Sequence, residues 1–208
     1  MKLPLRAYKF YAGIDPGFSG AISLINAAGT SVRVWPMPIT YRGDGDEDSR
    51  REIDLSGLQT IFRFLKRFPD VAVGIEWPNT RPGEGAERSE RFGRGKGYLE
   101  AFAFLHALEY FKLAPNLWKG RLGLPGKEQD PTSKRAAALW DQMQPARGGM
   151  IRGPRGGVLD GPLDALLIAS FLRSVGGKTA TLVRGSTDAM AHVLGAGPRR
   201  QRMRKLPT

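Results

Sequence analysis

The stretch VAVGIE, residues 71–76, is apolar at every position before its final glutamate. A strand with one wet face alternates apolar and polar residues. A run without alternation is buried on both faces, the pattern of a strand inside a parallel sheet. Such a sheet needs helices on both sides, so this run commits the chain to an α/β architecture. One such helix precedes it. In IDLSGLQTIFRFLKRF, Leu58, Ile61, Phe62, Leu65 and Phe68 recur at helical spacing while Arg63, Lys66 and Arg67 fall elsewhere. Asp54 or Ser56 caps its start, and Pro69-Asp70 ends it.

Upstream, YAGIDPGFSGAISLIN at 11–26 reads as a β-hairpin. Tyr11 to Ile14 is apolar and β-prone, Pro16-Gly17 is a strong turn signal, and Ile22 and Leu24 alternate with Ser23. Asp15 has two readings here, a turn cap or a functional carboxylate at a strand end. Val32 to Trp35 supplies a third strand, stopped by PMP. TYRGDGDEDSRRE is a surface loop. Its Asp44, Asp46, Glu47 and Asp48 lack the glycine and distal glutamate of an EF-hand and read as solvated charge.

Residues 78–97 read as a mobile basic loop running into a helix, GYLEAFAFLHALEYF. That helix is apolar on nearly every side, so it is deeply buried or shared with another subunit. His106 within it reads as a packed residue, not a ligand. LAPNLWKG reads as a short edge strand, and a helix runs from Asp130 or Thr132 to Met143. RGGMIRGPRGG at 147–157 is a flexible loop. The last helix is LDGPLDALLIASFLRSV, with Pro162 tolerated in its first turn. Asp160 and Asp164 lie four residues apart, and with Asp160 at or just before the helix start both can face the same way. Beyond Val175 the periodicity fades. The expected organisation is one domain over 1–175 and a loosely ordered basic tail over 176–208.

The chain carries 32 Lys and Arg against 20 Asp and Glu, a net charge of +12. A basic protein of this size meets a polyanion, with nucleic acid the default partner. PRRQRMRKLPT, with five positive and no negative charges, reads as a basic arm that raises non-specific affinity. No run approaches the roughly 18 apolar residues of a membrane span, so no membrane partner is expected. The N-terminus lacks the apolar core of a secretory signal. With no cysteine, disulfides, thiolate catalysis and cysteine-based zinc sites are excluded.

Asp15 and Glu76 end two strands, and Asp160 and Asp164 open the last helix. In an α/β domain ligands bind at the carboxyl ends of strands. Four carboxylates meeting there repel unless a cation neutralises them. Hard oxygen donors without His or Cys suit magnesium or manganese. Two such ions can clamp the attacking and leaving oxygens of a phosphodiester displacement.

On these residues the sequence resembles a known family. GIDPGFSG is similar to the first motif of RuvC-like Holliday-junction resolvases, and VAVGIEWP to their second acidic strand. LDGPLDALLIASF resembles their last helix, in the form frequent in bacteriophage and prophage members. RFGRGKGYLEAF resembles the segment leading into their central helix. LWKG and SKRAAALW resemble their basic W-K and lysine-bearing helix. Together these cover roughly residues 8 to 175. The resemblance implies a ribonuclease H-like α/β fold, a central mixed five-stranded sheet flanked by helices. It implies that Asp15, Glu76, Asp160 and Asp164 are catalytic and hold two Mg²⁺ or Mn²⁺ ions. The activity implied is that of a crossover junction endodeoxyribonuclease, nicking four-way or branched DNA in symmetric pairs and leaving 5′-phosphates. The implied assembly is a homodimer through the central helix, in the cytoplasm of a bacterial host. DNA contacts are expected from Arg88, Arg91, Phe92, Arg94, Lys96, Lys119, Lys134, Arg135, Arg152 and Arg155. Phe92 has two open roles, stacking on an unpaired base or packing under its own loop. The last two acidic residues stand four apart, against three in many cellular members, and the 41–51 loop and the tail are extra to the family pattern. Two other readings stay open: a non-catalytic junction-binding protein, and a ribonuclease H-type or flap nuclease on the same fold.

Overall fold

Phe10–Asp15 (β1), Ala21–Asn26 (β2) and Val32–Pro36 (β3) form an antiparallel meander. In this computed structural model the described residues are 7–29, 32–41, 51–78, 85–122, 124, 159–176 and 183–184. A small separate hairpin follows, Ile39–Tyr41 (β4) paired antiparallel with Arg51–Ile53 (β5). It replaces the two ends of the expected acidic surface loop; 42–50 lie outside the described residues. Helix α1, Leu55–Leu65, is capped by Asp54, whose carboxylate accepts from the Ser56 N–H at 2.9 Å. Val71–Glu76 (β6) runs parallel to β1 and Glu109–Leu113 (β7) parallel to β6. Between them lies α2, Ala86–Leu105, and after them α3, Pro115–Arg121. Helix α4, Asp160–Val175, packs across β1 and β2. Val183–Arg184 (β8) adds antiparallel to β7.

The sheet order is β3-β2-β1-β6-β7-β8. This is the expected mixed five-stranded sheet, with the two-residue β8 added at its edge. Every residue of β6 is buried, as its unbroken apolar run requires. Alternation divides the side chains between two cores. Ala12, Ile14, Val73 and Ile75 pack with Leu58, Phe62, Leu65 and Leu99 on the α1 and α2 side. Tyr11, Ala72, Phe111 and Leu113 pack with Leu163, Leu167, Phe171 and Leu172 on the α4 side. Each fully buried large apolar side chain contributes about 1.5–3 kcal/mol.

Three expectations are corrected. The basic segment before 97 is not all loop, because α2 begins at Ala86 and runs through Gly93, Gly95 and Gly97. Leu99 and Ala103 anchor this helix in the core, and its first turns carry Glu87–Arg91 and Glu90–Arg94 pairs at the i,i+4 spacing. Packing overrides the glycines' weak helix propensity, and these pairs add little. The helix then ends at Leu105, earlier than expected. Ala107 adopts a left-handed φ of 49°, and the chain turns into β7. LAPNLWKG is accordingly not an edge strand. Its Leu113 closes β7, and Pro115, pre-set for a first helical turn, opens α3. The helix expected up to Met143, the 147–157 loop and the basic arm lie outside the described residues.

Candidate active site

The parallel register pairs Phe10 with Val71 and continues to Ile14 with Ile75. One residue further along, Asp15 and Glu76 end adjacent strands, whose backbones in any sheet lie about 4.8 Å apart. The period of two places both on the same face as Gly13 and Gly74, the face covered by α4. Those glycines are paired across the strands. A Cβ on Gly13 would lie 2.0 Å from the Ala165 carbonyl oxygen, and one on Gly74 2.8 Å from the Leu172 Cδ1. The paired glycines therefore form a trough that lets α4 lie directly on the sheet. Ser23 fixes the crossing, its hydroxyl donating to the Ala165 carbonyl at 2.7 Å. At the helix start, a Cβ on Gly161 would meet the Ser19 carbonyl oxygen at 2.0 Å, so α4 begins in contact with the β1–β2 turn. Asp160 is the first residue of α4 and Asp164 lies one turn on. The helix is thereby held with its acidic first turns at the strand ends.

Asp15 fills the turn-capping role. Its Oδ1 accepts from the Gly17 N–H at 3.1 Å, which caps the Pro16-Gly17 turn and fixes the carboxylate. Glu76 is only 9% exposed, and its Oε1 accepts from the Trp118 indole N–H at 3.1 Å. Lys119, the next residue of α3, lies with its Nζ 3.4 Å from Asp164 Oδ2 and 4.9 Å from the Trp118 ring. Helix α3 thus contributes a fully buried indole and an ammonium to the acidic group.

The electrostatics record the crowding. Burial pushes the Glu76 carboxyl up to about 7, with the Asp15 and Asp164 charges adding and Lys119 and the Trp118 N–H opposing. Burial raises Asp164 to about 6, opposed by Lys119 and reinforced by Asp15 and Asp160. Asp15 is also raised by burial, against the Gly17 bond and the Lys119 charge, with Asp160 adding to the rise. Asp15 therefore interacts with Glu76, Asp164 and Asp160, and Asp164 with Glu76 and Asp160. Among the described residues, no three acidic or histidine side chains are gathered closely enough to enclose an ion as they stand. The donor chemistry nevertheless fits a hard divalent cation. The site offers only carboxylate oxygens, three of them on buried or half-buried residues whose ionisation is opposed, which a cation would relieve.

No protein-family model matches the sequence, and no curated protein matches it. Solved structures do. The T. thermophilus RuvC in complex with Holliday junction substrate matches with a TM-score of 0.55 at 16% identity, over 85% of this chain and 99% of that one. The fold is RuvC-like. A second Thermus thermophilus RuvC structure matches at 21% identity and a TM-score of 0.46, over 84% of this chain and 99% of its own.

Within this RuvC-like frame the residues expected to contact DNA separate. Arg91 and Arg94 stand on α2, where Arg94 lies 3.9 Å from Glu52 of β5. Lys119 is drawn into the acidic group. Lys96 is buried, donating to the Pro78 carbonyl at 3.1 Å, with its Nζ 5.0 Å from both the Trp77 and Phe92 rings. Phe92 is half-buried beneath that ammonium. The Arg88 side chain, Lys134, Arg135, Arg152 and Arg155 lie outside the described residues. His106 caps α2 and stacks on Phe62 and Phe102, a packing role as expected. Sequence reasoning missed Trp118 as the partner of Glu76, and missed the trough. The signal for the trough was present as twin tripeptides, Gly13-Ile14-Asp15 and Gly74-Ile75-Glu76, each placing a glycine two residues before an acid. No helix among the described residues is long and apolar enough to cross a membrane.

Proposed function

We propose that this chain is a divalent-metal-dependent endonuclease that cuts four-way or otherwise branched DNA. The observation that carries the reading is the placement of Asp15 and Glu76 side by side at the ends of β1 and β6, under the acidic first turns of α4. The net charge of +12 supports a polyanionic substrate. The RuvC-like fold, shared with a T. thermophilus RuvC in complex with Holliday junction substrate, supports the branched one.

Asp15, Glu76, Asp160 and Asp164 would hold Mg²⁺ or Mn²⁺, two ions per site. Bound there, such ions supply the positive charge and Lewis acidity for hydrolysis of a phosphodiester. The reaction adds water oxygen to phosphorus and breaks the P–O3′ bond, leaving a 5′-phosphate and a 3′-hydroxyl that takes up the proton. The Gly17 N–H holds Asp15 in one orientation, and the Trp118 indole does the same for Glu76. These bonds favour the ionised carboxylates that burial opposes. Lys119 offsets part of the negative charge, and with an ion bound its ammonium would be available to a phosphate. In this proposal Arg91 and Arg94 hold the flanking backbone, joined by Arg88, Lys134, Arg135, Arg152 and Arg155. Lys96 supports the Trp77-Pro78 segment behind Glu76, and Phe92 shields it. A homodimer of 1–175 domains through α2 would place two sites for paired symmetric nicks, with the 176–208 tail adding non-specific affinity. The form of the last helix fits a phage- or prophage-encoded enzyme of a bacterial cytoplasm.

The test is incubation of the full chain with labelled four-way junction, linear duplex, flap and RNA–DNA hybrid, in Mg²⁺ and in EDTA. The proposal expects paired nicks confined to the junction and present only with Mg²⁺. Metal-dependent cutting of the hybrid alone would refute the branched-DNA substrate, and cutting of the flap alone would refute the four-way junction. Tight junction binding with no cutting anywhere would refute the nuclease.

A further inference from the structure

The β4–β5 hairpin does not join the main sheet. It packs instead beside α2 and the turn that follows Asp15. Between these elements lies a recess of about 20 Å³, lined among others by Phe18, Arg51, Glu52, Arg91, Arg94 and Tyr98. Three guanidinium groups against one carboxylate leave its lining with a charge excess of +2. The Arg51 guanidinium carbon lies 5.8 Å from the Phe18 ring centroid, within cation–π range. The carboxylates near α2 are set back. Glu87 lies 3.7 Å from Arg91, and Glu52 and Glu90 each lie 3.9 Å from Arg94. These distances exceed hydrogen-bond range, so the pairs are weak and exchangeable.

Size decides what could enter. One water-sized probe needs about 10–15 Å³, so the recess admits an oxygen or two of an anion and excludes a nucleobase. Arginine forks match phosphate oxygens bidentately and are the preferred groups for that geometry. Position decides which phosphate. Phe18 follows Asp15 by three residues, and a Cβ on Gly95, in the recess wall, would stand 3.9 Å from the Pro16 carbonyl oxygen. The recess thus adjoins the turn that presents Asp15.

We propose that this recess, formed by Arg51 of β5 with Arg91 and Arg94 of α2, is an anchor for a backbone phosphodiester of the DNA strand entering the acidic site. The inference rests on the nuclease reading for the identity of the strand, and its test is chosen to fail separately. The perturbations are Arg51→Gln and Glu52→Gln in the full chain, neither residue belonging to the acidic group. Junction affinity is measured against salt in Ca²⁺, and inorganic phosphate is titrated by thermal shift at constant ionic strength. Arg51→Gln is expected to lower the slope of log affinity against log salt by about 0.9, the effect of one lost phosphate contact. Glu52→Gln is expected to tighten junction binding, an improvement that a merely structural role for the hairpin would not give. An unchanged slope in a folded Arg51→Gln protein, or weaker binding by Glu52→Gln, would overturn the anchor. So would a phosphate-induced shift that Arg51→Gln abolishes while the DNA slope holds, since the recess would then serve a free anion. An Arg51-dependent slope in a protein that cuts nothing would keep the anchor and remove the nuclease.

Discussion

Glu76 is nine-tenths buried beside two other carboxylates, and replacing it by glutamine should stabilise the metal-free protein at alkaline pH. Its folded-state pKa of about 7 lies well above the ordinary 4.5. Between those values the folded state holds a proton that the unfolded chain has released, so stability falls as pH rises through the window. Above pH 7 the full difference is lost. At 1.36 kcal per pKa unit this is about 3 kcal/mol for Glu76 as an upper bound. Asp164, raised to about 6 from 3.8, adds in the same direction over a lower window, and the two are coupled, so their effects do not simply sum. Glutamine keeps an oxygen for the Trp118 N–H and removes the charge. Thermal unfolding in EDTA should therefore show Glu76→Gln about 2–3 kcal/mol more stable than wild type at pH 8, or about 5–10 °C in Tm, and matched to it near pH 4.5. Mg²⁺ should close the gap by stabilising the wild type selectively at pH 8, where the carboxylates are ionised. A wild-type Tm that stays flat from pH 5 to 8 in EDTA, or a Glu76→Gln protein less stable at pH 8, would refute the reasoning.

Three further outcomes are expected. Gly13→Val should displace α4, because any Cβ there meets the Ala165 carbonyl oxygen at 2.0 Å; denaturant unfolding should show a loss of at least about 1–3 kcal/mol, and cleavage should fall further as Asp160 and Asp164 move. Trp118→Phe keeps a buried ring but removes the N–H donated to Glu76 at 3.1 Å; the alkaline rise of the cleavage pH profile should shift upward, with the rate at pH 7 falling by about tenfold or more, the equivalent of losing a 1–3 kcal/mol buried hydrogen bond. Ala107→Gly should stabilise the fold by about 1 kcal/mol in chemical denaturation, since φ 49° strains an alanine and not a glycine.

Periodicity carried most of the fold. The unbroken apolar run of β6 required helices on both faces, and the Leu58–Ile61–Phe62–Leu65 stripe of α1 is buried as spaced. Glycine-based punctuation misled where packing overruled it. Gly93, Gly95 and Gly97 read as loop yet lie in α2, whose Leu99 and Ala103 are buried in the core. Pro115 read as part of an extended segment, although proline also suits a first helical turn and starts α3. The positions of the four acids were legible from strand ends and helix starts. Their mutual approach was not, because it depends on Gly13, Gly74 and Gly161 admitting α4 against the sheet, contacts far apart in sequence that no local pattern encodes. The role of Trp118 was hidden for the same reason, since an indole in a sequence announces burial and not which carboxylate lies beneath it.

The central claim is that the Asp15–Glu76 pair under α4 is the seat of metal-dependent phosphodiester hydrolysis. Its most direct test is single-turnover cleavage of a labelled four-way junction in Mg²⁺ by wild type and by Glu76→Gln, with junction affinity measured on the same preparations in Ca²⁺. The account predicts cutting by the wild type, its loss in Glu76→Gln, and junction affinity equal to or tighter than wild type once the negative charge is gone. Cutting by Glu76→Gln at near the wild-type rate would contradict it.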